Sequence, residues 1–224
     1  MQLEKVGPVF VATMDDGQNP MNQRWLDAIS AALDEVEAEA GPRALVTTGV
    51  DHFYSTGLDL DWLLSTEVDM RDFVAEAERL FARLLGAPFI TVAALNGHTF
   101  AAGAMLAMCH DFRVMRTDRG FYCLPEVDIK IPLTAGMNAL MTATLPTVTV
   151  REILVTGKRF AADEAATKGI VHEALPADRI LDRAIEIATE YAAKDGAMVS
   201  AIRTRLYADA ITLLSDSLGT EPKL

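Results

Sequence analysis

Cysteine is nearly absent from this chain, and no apolar run is long enough to cross a bilayer. Only Cys109 and Cys123 occur in 224 residues, each in an apolar stretch. A disulfide framework is excluded and a reducing cytoplasm is expected. The longest apolar runs, FITVAAL (89–95) and AAGAMLAMC (101–109), fall far short of the roughly 20 residues needed to span a membrane. The first twenty residues carry Glu4, Asp15 and Asp16 and do not read as an export signal. Positive charge is also scarce: 20 Lys and Arg face 32 Asp and Glu, a net charge of -12. Such a surface repels nucleic acid and anionic membranes.

Several chemistries lack their usual motifs. There is no GxxxxGK(S/T), no GxGxxG and no GxSxG, which removes the ordinary signals for nucleoside triphosphates, dinucleotides and serine hydrolysis. His172-Glu173 begins like a zinc HExxH, but Pro176 stands where the second histidine belongs. His52, His98, His110 and His172 do not cluster at ligand spacing, and each reads as a surface or capping imidazole; no metal site is expected.

What remains is an alternation of apolar strands and helices. VFVATM (9–14), RALVTTG (43–49), FITVAAL (89–95) and FRVM (112–115) read as buried strands. Asn22 is placed as the N-cap of an amphipathic helix over 23–39, with Trp25, Ile29, Leu33 and Val36 on one face, and a second helix is expected over 68–85. This pattern argues for an α/β fold with its sheet covered on both sides. After about residue 133 helical spacing dominates, so residues 1–150 are expected to form an α/β core and 151–224 a helical region.

Three stretches point to chemistry. In LNGHTFAAGAMLAMCHD (95–111), small residues mark the passage from strand to helix. They either let backbone amides approach a ligand oxygen or let the helix pack closely on a sheet. HFYSTGLDL (52–60) offers a second such loop, with Ser55, Thr56 and Gly57. RGFYCLPEVDIKIP (119–132) sets Glu126 among Leu124, Pro125, Val127, Ile129 and Ile131, surroundings that disfavour the charged carboxylate and raise its pKa toward that of a general base. Read as a strand, this stretch puts Glu126 and Asp128 on one face.

Together with NPMN (19–22) and TGKRFAADEAATKGIVHEALP (156–176), these stretches, in this order, resemble the crotonase (enoyl-CoA hydratase/isomerase) superfamily over nearly the whole chain. HDFRVMRTDRGFYCLPEVDI (110–129) is similar to the Δ3,Δ2-enoyl-CoA isomerases of the plant peroxisomal type. The resemblance implies a crotonase-like spiral of β-β-α units, with a C-terminal helical region that mediates trimers or hexamers. It implies acyl-CoA as substrate and no separate cofactor. Matched by position, Ser55 and Ala102 fall at the two oxyanion-hole amides, Ser55, Thr56, Gly57, Leu58 and Asp59 line the thioester, and Glu126 is the acidic residue on which isomerases rely. The first acidic position of hydratases is Met105, which cannot carry a proton, so isomerisation is expected ahead of hydration. An enoyl-CoA hydratase, a different crotonase-fold activity using His98, Asp111 or Asp128, and a non-catalytic acyl-CoA-binding protein stay open as alternatives. Arg24, Lys158, Arg203 and Arg205 are candidates to meet the CoA phosphates, and Phe73, Phe81, Met137 and Leu140 to set the depth of the acyl pocket. The terminal Pro-Lys-Leu is similar to a peroxisomal Ser-Lys-Leu tail without its serine.

Overall fold

The computed structural model describes residues 1–216; the terminal Pro-Lys-Leu lies outside them. Strands β1 (Gln2–Val6) and β2 (Val9–Met14) form an antiparallel hairpin. β3 (Pro20–Met21) then leads into α1 (Gln23–Ala38), where the Asn22 side chain accepts from the Trp25 amide at 3.1 Å. Next come β4 (Ala44–Gly49), β5 (Phe53–Ser55), β6 (Gly57–Leu58), α2 (Leu60–Ser65) and α3 (Met70–Leu85). A further turn comprises β7 (Ile90–Leu95), β8 (His98–Phe100) and α4 (Ala102–Met108), and another β9 (Phe112–Arg116), β10 (Tyr122–Cys123) and α5 (Glu126–Ile129). Helices α6 (Ala135–Thr144), α7 (Thr147–Thr156) and α8 (Ala162–Thr167), strand β11 (Glu173–Leu175), and helices α9 (Ile180–Tyr191), α10 (Gly196–Leu206) and α11 (Ala208–Ser215) complete the described chain.

The strands form a six-stranded sheet ordered β1-β2-β4-β7-β9-β11, parallel apart from β1, and a three-stranded parallel sheet ordered β10-β8-β5. Each turn thus gives one strand to each sheet, β4 then β5, β7 then β8, β9 then β10, the spiral arrangement that the resemblance implied. The main sheet is covered on both faces. Val11, Val46, Val92 and Val114 pack on Ile180, Ala184 and Ile187 of α9, while Phe10, Leu45, Ala93 and Met115 join the larger core beneath α1, α3 and α4. Double coverage explains why these strands read as continuous apolar runs.

Helix α4 approaches the small sheet very closely. A Cβ on Gly103 would lie 2.6 Å from the Ser55 carbonyl oxygen and 2.7 Å from the Ser55 Cβ, so no larger residue fits there without moving backbone. One of the small residues that stood out in the sequence is therefore a packing device.

Two expectations need correction. The Glu126 stretch is not a strand. The amides of Asp128 and Ile129 both donate to the Pro125 carbonyl, at 2.9 and 3.1 Å, and Lys130 closes the single turn at φ 60°. Glu126 is buried and Asp128 exposed, so the two carboxyls do not share a face. His110 is no surface or capping imidazole: it is 3 % exposed. The Leu106 carbonyl, 2.9 Å from Nδ1, can only accept, so Nδ1 carries the proton and Nε2 accepts from the Thr47 hydroxyl at 2.9 Å; Thr47 in turn accepts from Tyr54 Oη at 2.7 Å. Burial pushes the His110 pKa down to about 3. Around the expected join near residue 150 runs α7; beyond it β11 and α9 return to the main sheet, and α11 packs on α3 and α6. Among the described residues no helix is long and apolar enough to cross a membrane.

Candidate active site

A cavity of about 250 Å³ opens between β6, α3, α4, α5 and the start of α6. Leu58, Val74, Phe100, Met105 and Met137 give it apolar walls, and among the described residues Glu126 is the one carboxyl on its lining.

Ala102 supplies a free backbone donor on the same lining. As the first residue of α4 it has no intrahelical acceptor for its amide. Ala101 before it is held at φ 50° and ψ -127°, a conformation that costs a non-glycine residue on the order of 1–3 kcal/mol and that recurs at functional sites. Its own amide donates to the Cys123 carbonyl at 3.0 Å, and its carbonyl accepts from Ala104 and Met105 at 2.9 and 3.1 Å. The strained peptide is thereby locked with the Ala102 N–H turned out of the helix.

Opposite lies β6. Gly57 adopts φ +89°, and a Cβ there would sit 2.8 Å from the Ala102 nitrogen; only glycine leaves that amide accessible. The Asp59 amide donates to the Met21 carbonyl at 2.9 Å. Strand alternation turns the preceding Leu58 N–H to the other side, away from β3. Leu58 and Ala102 both line the cavity.

Glu126 opens α5, with its side chain turned inward. The residue is 8 % exposed, and Oε2 is buried with no hydrogen-bond partner. Loss of solvation raises its pKa to about 7, a little offset by its own backbone amide. An uncompensated carboxyl at this pKa, facing an apolar hollow, is equipped to accept a proton near neutral pH. Met105, 1 % exposed, lines the same cavity from α4 and brings no titratable group.

Comparison with known proteins places the chain in a family. The family model for enoyl-CoA hydratase/isomerase matches residues 4–222. The chain belongs to the enoyl-CoA hydratase/isomerase family. It is 32 % identical over 232 residues to enoyl-CoA delta isomerase 3 of Arabidopsis thaliana, covering 97 % of this chain and 98 % of that protein. It is also 32 % identical to peroxisomal enoyl-CoA delta isomerase 2 of the same plant, over 95 % of this chain and 94 % of the relative. A solved probable enoyl-CoA hydratase from Mycobacterium tuberculosis H37Rv superposes with a TM-score of 0.89 at 29 % identity, covering 97 % of this chain and 92 % of the other.

Within this family frame, the expected site residues part company. Thr56, Leu58, Ala102 and Glu126 line the cavity and Gly57 sits beside it. Ser55 does not reach it. It is fully buried and paired with Thr99 in the small sheet, its Oγ donating to the Asn19 carbonyl and accepting from the Gly57 amide. Asp59 caps α2 through the Trp62 amide and accepts from Asn22. The auxiliary candidates lie elsewhere: His98 packs among the rings of Phe53, Phe100 and Phe121, Asp111 accepts from Thr91 and Arg203, and Asp128 is exposed. Arg24 pairs with Asp16, Lys158 with Glu152 and Glu164, and Arg203 is buried against Asp111 and the Ala87 carbonyl; Arg205 is exposed. Of the four pocket-depth candidates Met137 lines the cavity, whereas Phe73, Phe81 and Leu140 belong to the core behind it. Sequence reasoning passed over Met70, Val74, Leu133 and Thr134, which also line the cavity; the i, i+4 spacing of Met70 and Val74 on α3 is the one signal that pairs any of them.

The buried carboxyl makes stability depend on pH. Glu126 binds its proton more tightly when folded, at about 7 against 4.5, so its contribution is fully present below pH 4.5 and is lost as pH rises through 7. Glu126→Gln, neutral throughout, is expected to be more stable than wild type at pH 8, by on the order of 3 kcal/mol, with the gap closing as pH falls toward 4.5. Urea unfolding across that range checks it; a variant less stable than wild type at pH 8 contradicts the burial argument.

Proposed function

We propose that this protein is an acyl-CoA isomerase that moves a 3-enoyl double bond to the 2-position, with Glu126 as its single acid–base group. The observation that carries the reading is the occupancy of one apolar cavity by a carboxyl with a pKa raised to about 7 and, on α4, by Met105. Adding water to a double bond requires one group to activate the water and another to manage the proton, and methionine does neither. A double-bond shift requires one base only.

In the proposed sequence the thioester oxygen rests between the amides of Ala102 and Leu58. Leu58 takes the place expected for Ser55, whose backbone is committed to the small sheet. Ionised Glu126 removes a proton from C2, and the electron pair delocalises through the C3–C4 double bond and the carbonyl to give a dienolate whose charge the two amides hold. The protonated Glu126 then delivers a proton to C4, leaving the double bond between C2 and C3 and restoring the base. Loss of one oxyanion donor typically costs about 10²–10³ in rate, and a positioned base contributes about 10²–10⁴. The apolar walls keep water from competing for the dienolate.

The expected trimer or hexamer is carried forward as part of this proposal. Met198, Ile202 and Leu206, one helical turn apart on α10, are 60, 57 and 66 % exposed, an unusual stripe for a surface meeting only water. Light scattering at micromolar concentration should give a multiple of three chains, and a monomeric mass contradicts it.

The reaction is tested by turnover of a 3-enoyl-CoA. Wild-type kcat/KM should rise with pH through about 7 as Glu126 ionises, then flatten. Glu126→Gln should lose at least ~10² in rate while acyl-CoA binding persists. Met105→Ala should weaken stability, by about 2–5 kcal/mol for a fully buried side chain, without selectively abolishing proton transfer. Equal turnover by wild type and Glu126→Gln would remove the single-base reading; binding without turnover in the wild type would favour a non-catalytic acyl-CoA-binding protein.

A further inference from the structure

Along α3, Met70 and Val74 line the cavity one turn apart, and solvent exposure falls through the next residue of that series, Glu78, which contacts the lining residue Thr134. Met70 is 43 % exposed and Val74 is half-buried, both on the lining, and one turn further Glu78 is fully buried. A carboxyl group at 0 % exposure in the middle of an amphipathic helix is costly unless its position is fixed by partners. Here the partner is the first turn of α6. The Thr134 hydroxyl donates to Glu78 Oε1 while accepting from the Met137 amide at 3.0 Å, and Thr134 and Met137 are themselves cavity-lining residues. Gly136 between them leaves no slack: a Cβ there would lie 2.8 Å from Glu78 Oε1 and 2.9 Å from the Leu214 Cα of α11. Glu78, Thr134, Gly136 and the C-terminal helix thus form one closed contact at the buried end of the α3 stripe.

We propose that Glu78 is a specificity-determining residue, closing the inner end of the acyl pocket through Thr134 and so limiting the length of acyl chain the protein accepts. This rests on the acyl-CoA reading above and deepens it. An apolar tail that reached this end would have to press on a carboxyl group and break its contact with Thr134, whereas a short tail ends among Val74, Met105 and Met137. Glu78 touches no reacting atom; it acts by fixing where the pocket stops.

Isothermal titration calorimetry with butanoyl-, hexanoyl- and decanoyl-CoA tests this without requiring turnover. Wild-type affinity should rise from butanoyl to hexanoyl and level off by decanoyl. Glu78→Ala, or Glu78→Val, should raise the ratio of decanoyl to butanoyl affinity by at least about tenfold, the scale set by pocket fit for added methylenes. Glu78→Gln, which retains length and an acceptor for Thr134, should keep the ratio within about twofold of wild type. Wild-type affinity that climbs steadily through decanoyl, or a folded Glu78→Ala with the wild-type ratio, overturns the inference and leaves the isomerase reading intact. A wild type that binds none of the three overturns both.

Discussion

The contact between α4 and the strands before it is the constraint on which the site depends. Gly103 lets the helix settle against Ser55, and Gly57 lets β6 pass beside the Ala102 amide, with backbone approaches that no Cβ would permit. Given that contact, the first turn of α4 points an unused N–H at the cavity and Met105 falls on its wall one turn later. Ala101 bears the strain of the arrangement at φ 50°. The two interpretations open to a run of small residues, ligand approach and close packing, both hold, on different residues: Gly103 packs, while Gly57 clears the space in front of Ala102.

Desolvation of Glu126 is the second element. Nothing in its surroundings neutralises it, and burial is the largest cause of its raised pKa. A carboxyl tuned this way is held by the fold at a cost in stability, the relation that the proposed role as a base requires. His110 shows the contrasting use of a buried titratable group: it is kept neutral by burial, ties Thr47 to the Leu106 carbonyl, and lies outside the cavity lining.

Much of this was legible in the letters, for reasons that can be named. The strands of the main sheet were visible because coverage on both faces writes them as unbroken apolar runs, and Asn22 announced α1 through its capping chemistry. The strands β5, β6, β8 and β10, of two or three residues each, are too short for periodicity to register. The burial of Glu126 was anticipated from apolar neighbours, yet Val127, Ile129 and Ile131 are 47, 47 and 44 % exposed; the carboxyl instead turns inward to the cavity it shares with Met105 of α4 and Met137 of α6. The proposal of Leu58 rather than Ser55 as the first donor rests on which way successive amides point once β6 pairs with β3, and residue type carries no trace of that. Glu78 stood in an amphipathic helix as one more acidic residue until the first turn of α6 was placed against it.

The central claim is that one carboxyl, shielded from water, carries the same proton from C2 to C4. It is tested most directly by following a deuterium label placed at C2 of a 3-enoyl-CoA through a single turnover in ordinary water. Deuterium recovered at C4 of the 2-enoyl product, and lost together with turnover in Glu126→Gln, is the predicted result. A product whose new C4 hydrogen comes entirely from solvent, or label transfer that persists in Glu126→Gln, would contradict it.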